Sequence, residues 1–224
     1  MVRAGLTTER LVRAGAELAD EVGFAQVTVS ALARRFDVKV ASLYSHLKNS
    51  QDLKTRIALL ALAELADHAA EALAGRSGKD ALGAFADVYR DYALAHPGRY
   101  TAARYPLDPE TAAASAGPRH AQLTRAILRG YDLPEPDQTH AVRLLGSVFH
   151  GYVSLETAGG FAHRAPDSQE SWTRIVDAGA LKVDGDNAIL YLWYDNEFGY
   201  SCQVVRVVQY VSGVEYPTYP ATAV

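Results

Sequence analysis

Between Lys39 and Lys48 the chain carries a run of short and hydrogen-bonding residues, Lys39-Val40-Ala41-Ser42-Leu43-Tyr44-Ser45-His46-Leu47-Lys48. Wound as a helix, this run puts Leu43 and Leu47 one turn apart on a single inward face. The outward positions are then Lys39, Val40, Ala41, Ser42, Tyr44, Ser45 and His46. Such a face donates and accepts hydrogen bonds without bulk, which lets a helix sit deep in a DNA major groove ~12 Å wide. That chemistry is recognition, not bond-making. The seven histidines include no HExxH or HxxxH spacing, so a metal centre is not expected. The single cysteine, Cys202, excludes an intrachain disulfide and a CxxC site.

The flanking sequence supplies what such a helix needs to be held. Residues 7–22 read as an amphipathic helix, with Thr7 or Thr8 as N-cap and Leu11, Leu18 and Val22 on one face, stopped by Gly23. Thr28 caps a second, short helix whose apolar positions are Val29, Leu32, Ala33 and Phe36. Asp37 breaks it. The third helix spans 39–47, Lys48-Asn49-Ser50 turns, and Ser50 caps a fourth helix reaching residue 73. Two short helices across a tight turn, with a supporting helix on each side, make a helix-turn-helix.

Charge agrees. The chain as a whole is −4, which by itself argues against nucleic acid. Through Arg56, however, nine Lys and Arg stand against six Asp and Glu, a net +3, so the remainder carries −7. A basic head on an acidic body presents one face to phosphates and keeps the other away. The N-terminus has no run fit for a signal peptide and no stretch is long and apolar enough to span a membrane, so the expected location is the cytoplasm.

The string Thr28-Val29-Ser30-Ala31-Leu32-Ala33-Arg34-Arg35-Phe36, then Val38, Ser42-Leu43-Tyr44-Ser45-His46-Leu47-Lys48-Asn49 and Asp52-Leu53, resembles the DNA-binding domain of the TetR family of bacterial repressors. The resemblance implies phosphate contacts from Thr28, Ser42, Tyr44, His46 and Lys48. It also implies that Lys39, Val40, Ala41 and Ser45 face base edges. The family usually has Gly at the turn where this chain has Asp37.

Beyond the loop Ala74-Gly75-Arg76-Ser77-Gly78 the pattern stays helical. Leu82, Phe85, Tyr89 and Tyr92 line one face of a helix ended by His96-Pro97-Gly98. A short helix over 99–105, a helix reaching Arg129, another carrying Val142, Leu145, Phe149, Tyr152 and Glu156, and one from near Asp167 through Trp172 follow. Phe149-His150-Gly151-Tyr152 resembles the Trp-His-Gly motif of some TetR regulatory domains. It implies an all-helical body that binds a small-molecule effector and dimerises through its last two helices. Polar-tipped and aromatic side chains expected on inward faces, Tyr89, Tyr92, Tyr100, Phe149, His150 and Tyr152, are the candidate ligand contacts.

After about residue 178 the character changes. Residues 187–195 alternate as a strand that is apolar on both faces, an aggregation hazard if unpaired. The string Trp193-Tyr194-Asp195-Asn196-Glu197-Phe198-Gly199-Tyr200-Ser201-Cys202 resembles the C-terminal end of glyceraldehyde-3-phosphate dehydrogenase. No Gly-x-Gly-x-x-Gly turn and no Cys-Thr-x-Asn surroundings accompany it, so neither dehydrogenase activity nor a cofactor is expected. The tail reads as a fusion joined between residues 177 and 184.

The expected fold is mainly α: a helix-turn-helix head over 1–50, an all-helical ligand-binding and dimerisation body over 51–178, and a short β-forming tail over 179–224. The expected function is a ligand-responsive repressor that binds double-stranded DNA as a homodimer. The alternative is a non-functional fusion of such a regulator with a dehydrogenase tail.

Overall fold

The computed structural model describes residues 5–129, 133–163, 165–177, 182–184 and 187–189. The chain parts into two units, Met1–Ser168 and Gln169–Val224.

In the first unit, α1 (Thr8–Val22) starts where the Thr7 hydroxyl accepts from the Arg10 N–H at 3.2 Å. It buries Leu11, Val12, Ala14, Gly15, Ala16 and Ala19. Val22, expected on that face, lies instead exposed at the helix end. A 3-10 turn (Phe24–Gln26) leads to α2 (Val29–Arg35), capped as expected by Thr28, whose Oγ1 accepts from the Ala31 N–H at 3.1 Å. Asp37 has a φ of 51°. Val38 donates to the Ala33 carbonyl and Asp37 to the Arg34 carbonyl, which is the Schellman closure of a helix C-terminus.

The third helix, α3, is regular only over Val40–Leu43, shorter than the 39–47 expected from periodicity. Winding continues as single turns, with the His46 and Leu47 N–H groups both donating to the Leu43 carbonyl at 2.9 Å. The Ser45 hydroxyl donates to the Ser42 carbonyl at 2.9 Å, the kind of local bond that competes with a regular helix. The next helix, α4 (Ser50–Leu73), is capped by Asn49 and not by Ser50: Asn49 Oδ1 accepts from the Asp52 N–H at 2.8 Å. Leu11, Leu32, Leu43, Leu47, Leu53 and Ile57 meet in one core and are at most 1% exposed. Each such burial contributes about 1.5–3 kcal/mol.

The body is built from α5 (Gly78–Ala95), α6 (Pro97–Ala102), α7 (Pro109–Ala114), α8 (Gly117–Leu128) and α9 (Glu135–Thr157). Pro97 begins α6 two residues earlier than expected, because it cannot continue α5 yet suits the first position of a helix. The helix expected to reach Arg129 is two helices. The Ser115 hydroxyl donates to the Ala112 carbonyl at 2.7 Å and accepts from the Gly117 N–H at 3.0 Å, closing α7 and opening α8. Helix α4 packs on α5 and α8, and α5 on α9. Arg90 of α5 forms a two-pronged ion pair with Glu156 of α9, at 2.8 and 2.7 Å, with side chains only 8% and 9% exposed.

The second unit shows α10 (Ser168–Asp177), which begins at the last residue of the first. It also shows β1 (Lys182–Asp184) paired antiparallel with β2 (Asn187–Ile189), Val183 opposite Ala188. The start of the expected strand therefore has a partner on one edge, where sequence reading left it unpaired. The rest of that strand, from Leu190 to Asp195, and the dehydrogenase-like string lie outside the described residues.

Candidate functional site

The head presents the outward residues of α3 and its following turn as one exposed stretch. Lys39, Ala41, Ser42, Tyr44, Ser45 and Lys48 are exposed, while Thr28, Val40 and His46 are half-buried. Tyr44, at 54% exposure, is not a core residue. Leu43 and Leu47 face inward beneath them.

This stretch is pinned from three sides. The Asp52 carboxylate accepts from the Lys48 N–H and from Arg56 Nε, both at 3.0 Å. The Thr8 hydroxyl donates to the His46 carbonyl at 3.4 Å, and the Val29 N–H donates to Ser50 Oγ at 3.5 Å. The backbone at Lys48 is fixed while its amine stays free: among the described residues neither Lys39 nor Lys48 forms an ion pair. Two other cations of this region are engaged. Arg35 is held by Glu17 and Glu21 at 3.1 and 2.8 Å, and the Lys54 amine donates to the Ala25 carbonyl. The capping pair Asn49 and Asp52 was not singled out from sequence, although Asn-x-x-Asp before an apolar run is a legible helix start.

In the body, sequence candidates divide. Tyr92 is buried between α4 and α5, with its hydroxyl donating to Glu64 at 3.0 Å. Tyr152 is buried against Phe161 and donates to the Ser168 carbonyl. Phe149 is buried against Phe85 and Tyr89. Tyr89, Tyr100 and His150 gather near two residues that sequence reading missed, Arg104 and His120. The Arg104 guanidinium carbon lies 3.7 Å from the Tyr100 ring centroid, its Nη2 donates to the Tyr100 hydroxyl at 2.6 Å and its Nη1 to the Tyr100 carbonyl at 3.0 Å. The i, i+4 spacing of Tyr100 and Arg104 was the available signal.

Protonation states follow from partners. His120 Nε2 faces the Leu62 carbonyl at 3.0 Å, which only accepts, so Nε2 carries the proton and Nδ1 accepts from the Tyr89 hydroxyl. Burial pushes the His120 imidazole below its ordinary value. Burial and then the Arg104 charge do the same to His150. Burial raises the Tyr89 and Tyr100 phenols, so both remain neutral. An open, mainly apolar groove between α1 and α4, bordered by Val12, Leu59 and Leu60, is elsewhere and shares no residue with this cluster.

Two short helices across a left-handed turn, carried on a three-helix core with exposed cations at the second helix, define the helix-turn-helix class. Residues 11–54 match the family model described as bacterial regulatory proteins of the tetR family, and residues 82–179 match that of the tetracyclin repressor-like C-terminal domain. The chain is 31% identical to the uncharacterised HTH-type transcriptional regulator YobS of Bacillus subtilis, over 75% of this chain and 88% of that one. It is 34% identical to an uncharacterised HTH-type transcriptional regulator of Mycobacterium tuberculosis, over 70% and 72%. Among solved structures, a Rhodococcus protein of unknown function superposes with a TM-score of 0.66 at 22% identity, covering 80% of this chain and 95% of the other. The TetR family regulator PfmR of Thermus thermophilus gives 0.58 at 24%, covering 79% and 96%. A TetR variant of Acinetobacter baumannii in complex with minocycline gives 0.58 at 20%, covering 78% and 94%.

The chain belongs to the TetR family, and it is a ligand-responsive, DNA-binding transcriptional regulator. A separate similarity, 54% over 46 residues, joins it to a glyceraldehyde-3-phosphate dehydrogenase-like protein of Pseudomonas aeruginosa. It spans 20% of this chain and 10% of that one. Among the described residues no helix is long and apolar enough to cross a membrane.

Proposed function

We propose that the chain acts in the cytoplasm as a homodimeric repressor whose α3 and following turn enter the major groove at each half-site. Thr28, Ser42, Tyr44, His46 and Lys48 contact phosphates, and Lys39, Val40, Ala41 and Ser45 face base edges. The observation that supports this most is the exposed, polar α3 surface with free Lys39 and Lys48 amines on a backbone held from three sides. A reader fixed in this way meets DNA without first paying for ordering. The division is a head over 1–50, an effector-binding and dimerising body over 51–178, and a tail over 179–224 without catalytic role. The effector is a small molecule, a reading in keeping with the minocycline complex of the Acinetobacter baumannii TetR variant. The short dehydrogenase-like match spans too little of that enzyme to supply a dinucleotide site and a nucleophile, which supports a regulator without dehydrogenase activity.

Selection of duplexes from a random pool by the purified full chain tests the proposal. The expected product is a pseudo-palindrome whose half-sites are one helical turn apart, or a multiple of it, as two-fold symmetry demands. A pool that stays random, or enriches a single asymmetric half-site, would refute it.

A further inference from the structure

Arg104 is a cation without a counter-charge. Among the described residues no carboxylate pairs with it, and its hydrogen bonds there go only to the Tyr100 carbonyl and hydroxyl. A guanidinium has five N–H donors, so three remain unspent. Stacking on the Tyr100 ring fixes the plane of the fork. The residue as a whole is exposed, yet its charged end sits in enough protein that desolvation lowers its proton affinity despite the favourable tyrosines. Charges held in such surroundings are ordinarily paired.

The surrounding groups are donors as well. His150 Nδ1 lies 3.2 Å from Ser154 Oγ and 3.5 Å from the Tyr100 hydroxyl. Both hydroxyls have protons to give, which leaves the His150 proton on Nε2, where no described protein partner takes it up. Within the single chain His150 is exposed on α9 and Arg104 is exposed after α6, so a solute can reach both there. Tyr89 and His120 sit within Coulombic reach of the guanidinium and are neutral. The cluster therefore offers one positive charge, a planar fork and an imidazole N–H, and no acid among the described residues.

We propose that Arg104, with Tyr100 and His150, is the anion-binding end of the effector site and takes the carboxylate of a small organic acid. This rests on reading the chain as a ligand-responsive regulator. A carboxylate fits better than a phosphate monoester because it matches the fork in pairs of parallel hydrogen bonds and brings one negative charge to meet one positive charge. A phosphate dianion would need a second cation, and depressed imidazoles do not provide it at neutral pH.

The test uses the full chain, with sodium benzoate and sodium octanoate as probes. Benzamide serves as the neutral match and inorganic phosphate as the competing anion. Binding is read by calorimetry, and release from the selected duplex by fluorescence anisotropy. The expected result is saturable binding of at least one carboxylate that weakens duplex affinity. Benzamide and phosphate should bind at least about tenfold more weakly, the scale of a charge-assisted pair. Arg104→Gln should lose carboxylate binding by about tenfold or more, and Arg104→Lys by less, while both keep the duplex affinity of the parent without ligand.

No saturable binding of either carboxylate, equal binding of benzamide, tighter binding of phosphate, or an Arg104→Gln variant that binds like the parent would each overturn the proposal. So would carboxylate binding that leaves a bound duplex untouched. If the chain binds no duplex yet holds a carboxylate through Arg104, the anion site stands and the regulator reading falls. If it binds a duplex but no carboxylate, the regulator reading stands and the anion site falls.

Discussion

Gly98 of α6 lies so close to Ala19 of α1 that a Cβ on Gly98 would overlap the Ala19 carbonyl and come within 2.5 Å of the Asp20 N–H nitrogen. The obstacle is backbone, which cannot swing aside as a side chain would. Around this contact the Asp20 carboxylate accepts from the Arg99 N–H at 2.8 Å and meets His96 Nδ1 at 3.2 Å. Arg99 also reaches Glu64 of α4 at 3.3 Å. Further along, Ala102 joins the core beneath the reading helix, and Tyr105 packs edge-on against Phe24 with centroids 5.4 Å apart. Helix α6 is thus built into the head as much as into the body.

Gly98→Ala must therefore part α1 from α6. Overpacking of this kind costs about 1–3 kcal/mol, which for a chain of this size lowers the melting temperature by roughly 2–4 °C per kcal/mol. Affinity for the selected duplex should fall as well, because α1 supports the reading helix through Thr8. A variant that melts with the parent and binds equally well would show that α6 does not bear on α1.

Asp37 occupies the left-handed position of the α2 closure at a φ of 51°. Glycine adopts that conformation freely, whereas other residues held there carry strain of about 1–3 kcal/mol, least for Asn and Asp. Asp37→Gly should stabilise by up to about 1 kcal/mol, part of the relief being offset by the freer unfolded chain. Asp37→Val should destabilise by more than that. Thermal melts of the pair check the sign, and a glycine variant that melts lower would place the strain elsewhere.

Much of the head was legible because its signals are local. Thr28 caps α2, Leu43 and Leu47 repeat at helical spacing, and Asp37 breaks α2, while its left-handed turn was suggested only by the glycine usual at that place in the family. The misreadings have local causes as well. Asn49 and Ser50 are both capping residues, and what decides for Asn49 is that its Oδ1 accepts from the Asp52 N–H while the Asp52 carboxylate accepts from the Lys48 N–H. The break between α7 and α8 turns on one hydroxyl, Ser115, and on Pro118 just after Gly117.

For Arg104 the sequence offered only its i, i+4 spacing from Tyr100, which does not reveal a site. Its meaning depends on Tyr89, His120 and His150, which come from α5, α8 and α9 and meet it only after folding. Tyr92 and Tyr152 show the converse. They share the residue type and helical phase of the ligand candidates, yet the groups they reach, Glu64 and the Ser168 carbonyl, give them structural partners.

Lys48 should contribute affinity without sequence preference. Its amine is free and its backbone is fixed by Asp52, so a phosphate contact releases counterions at little ordering cost. Lys48→Ala should weaken binding to every duplex alike and flatten the salt dependence by about 0.9 in slope. Exchanging Lys39, Val40, Ala41 and Ser45 together should instead redirect the selected sequence, since Val40 and Ala41 suit thymine methyl groups. Anisotropy titrations at several salt concentrations separate the two, and a changed site preference in the Lys48 variant would reverse its assignment.

The Arg90–Glu156 pair ties α5 to α9 and should dominate the acid response of the body. Burial alone would raise the Glu156 carboxyl, but hydrogen bonds from Arg90 and at Ser168 outweigh it and hold the group below the usual carboxylate range. Because the folded value is the lower one, the stabilisation is fully present above the unfolded value of about 4.3. It is lost as pH falls from there through the folded value. Arg90→Met leaves a buried carboxylate without its cation and should cost about 3–5 kcal/mol at neutral pH. The variant should recover part of that loss on mild acidification, as Glu156 takes up a proton, so its stability-versus-pH curve slopes the opposite way from the parent's between about pH 7 and 5. Replacing both residues, Arg90→Met with Glu156→Leu, removes the orphan charge and should restore most of the stability, since an apolar pair of similar volume is often as good as a buried ion pair. Urea melts across pH read all three chains. A double variant no more stable than Arg90→Met would show that the loss lies in packing around Arg90, not in the uncompensated charge of Glu156.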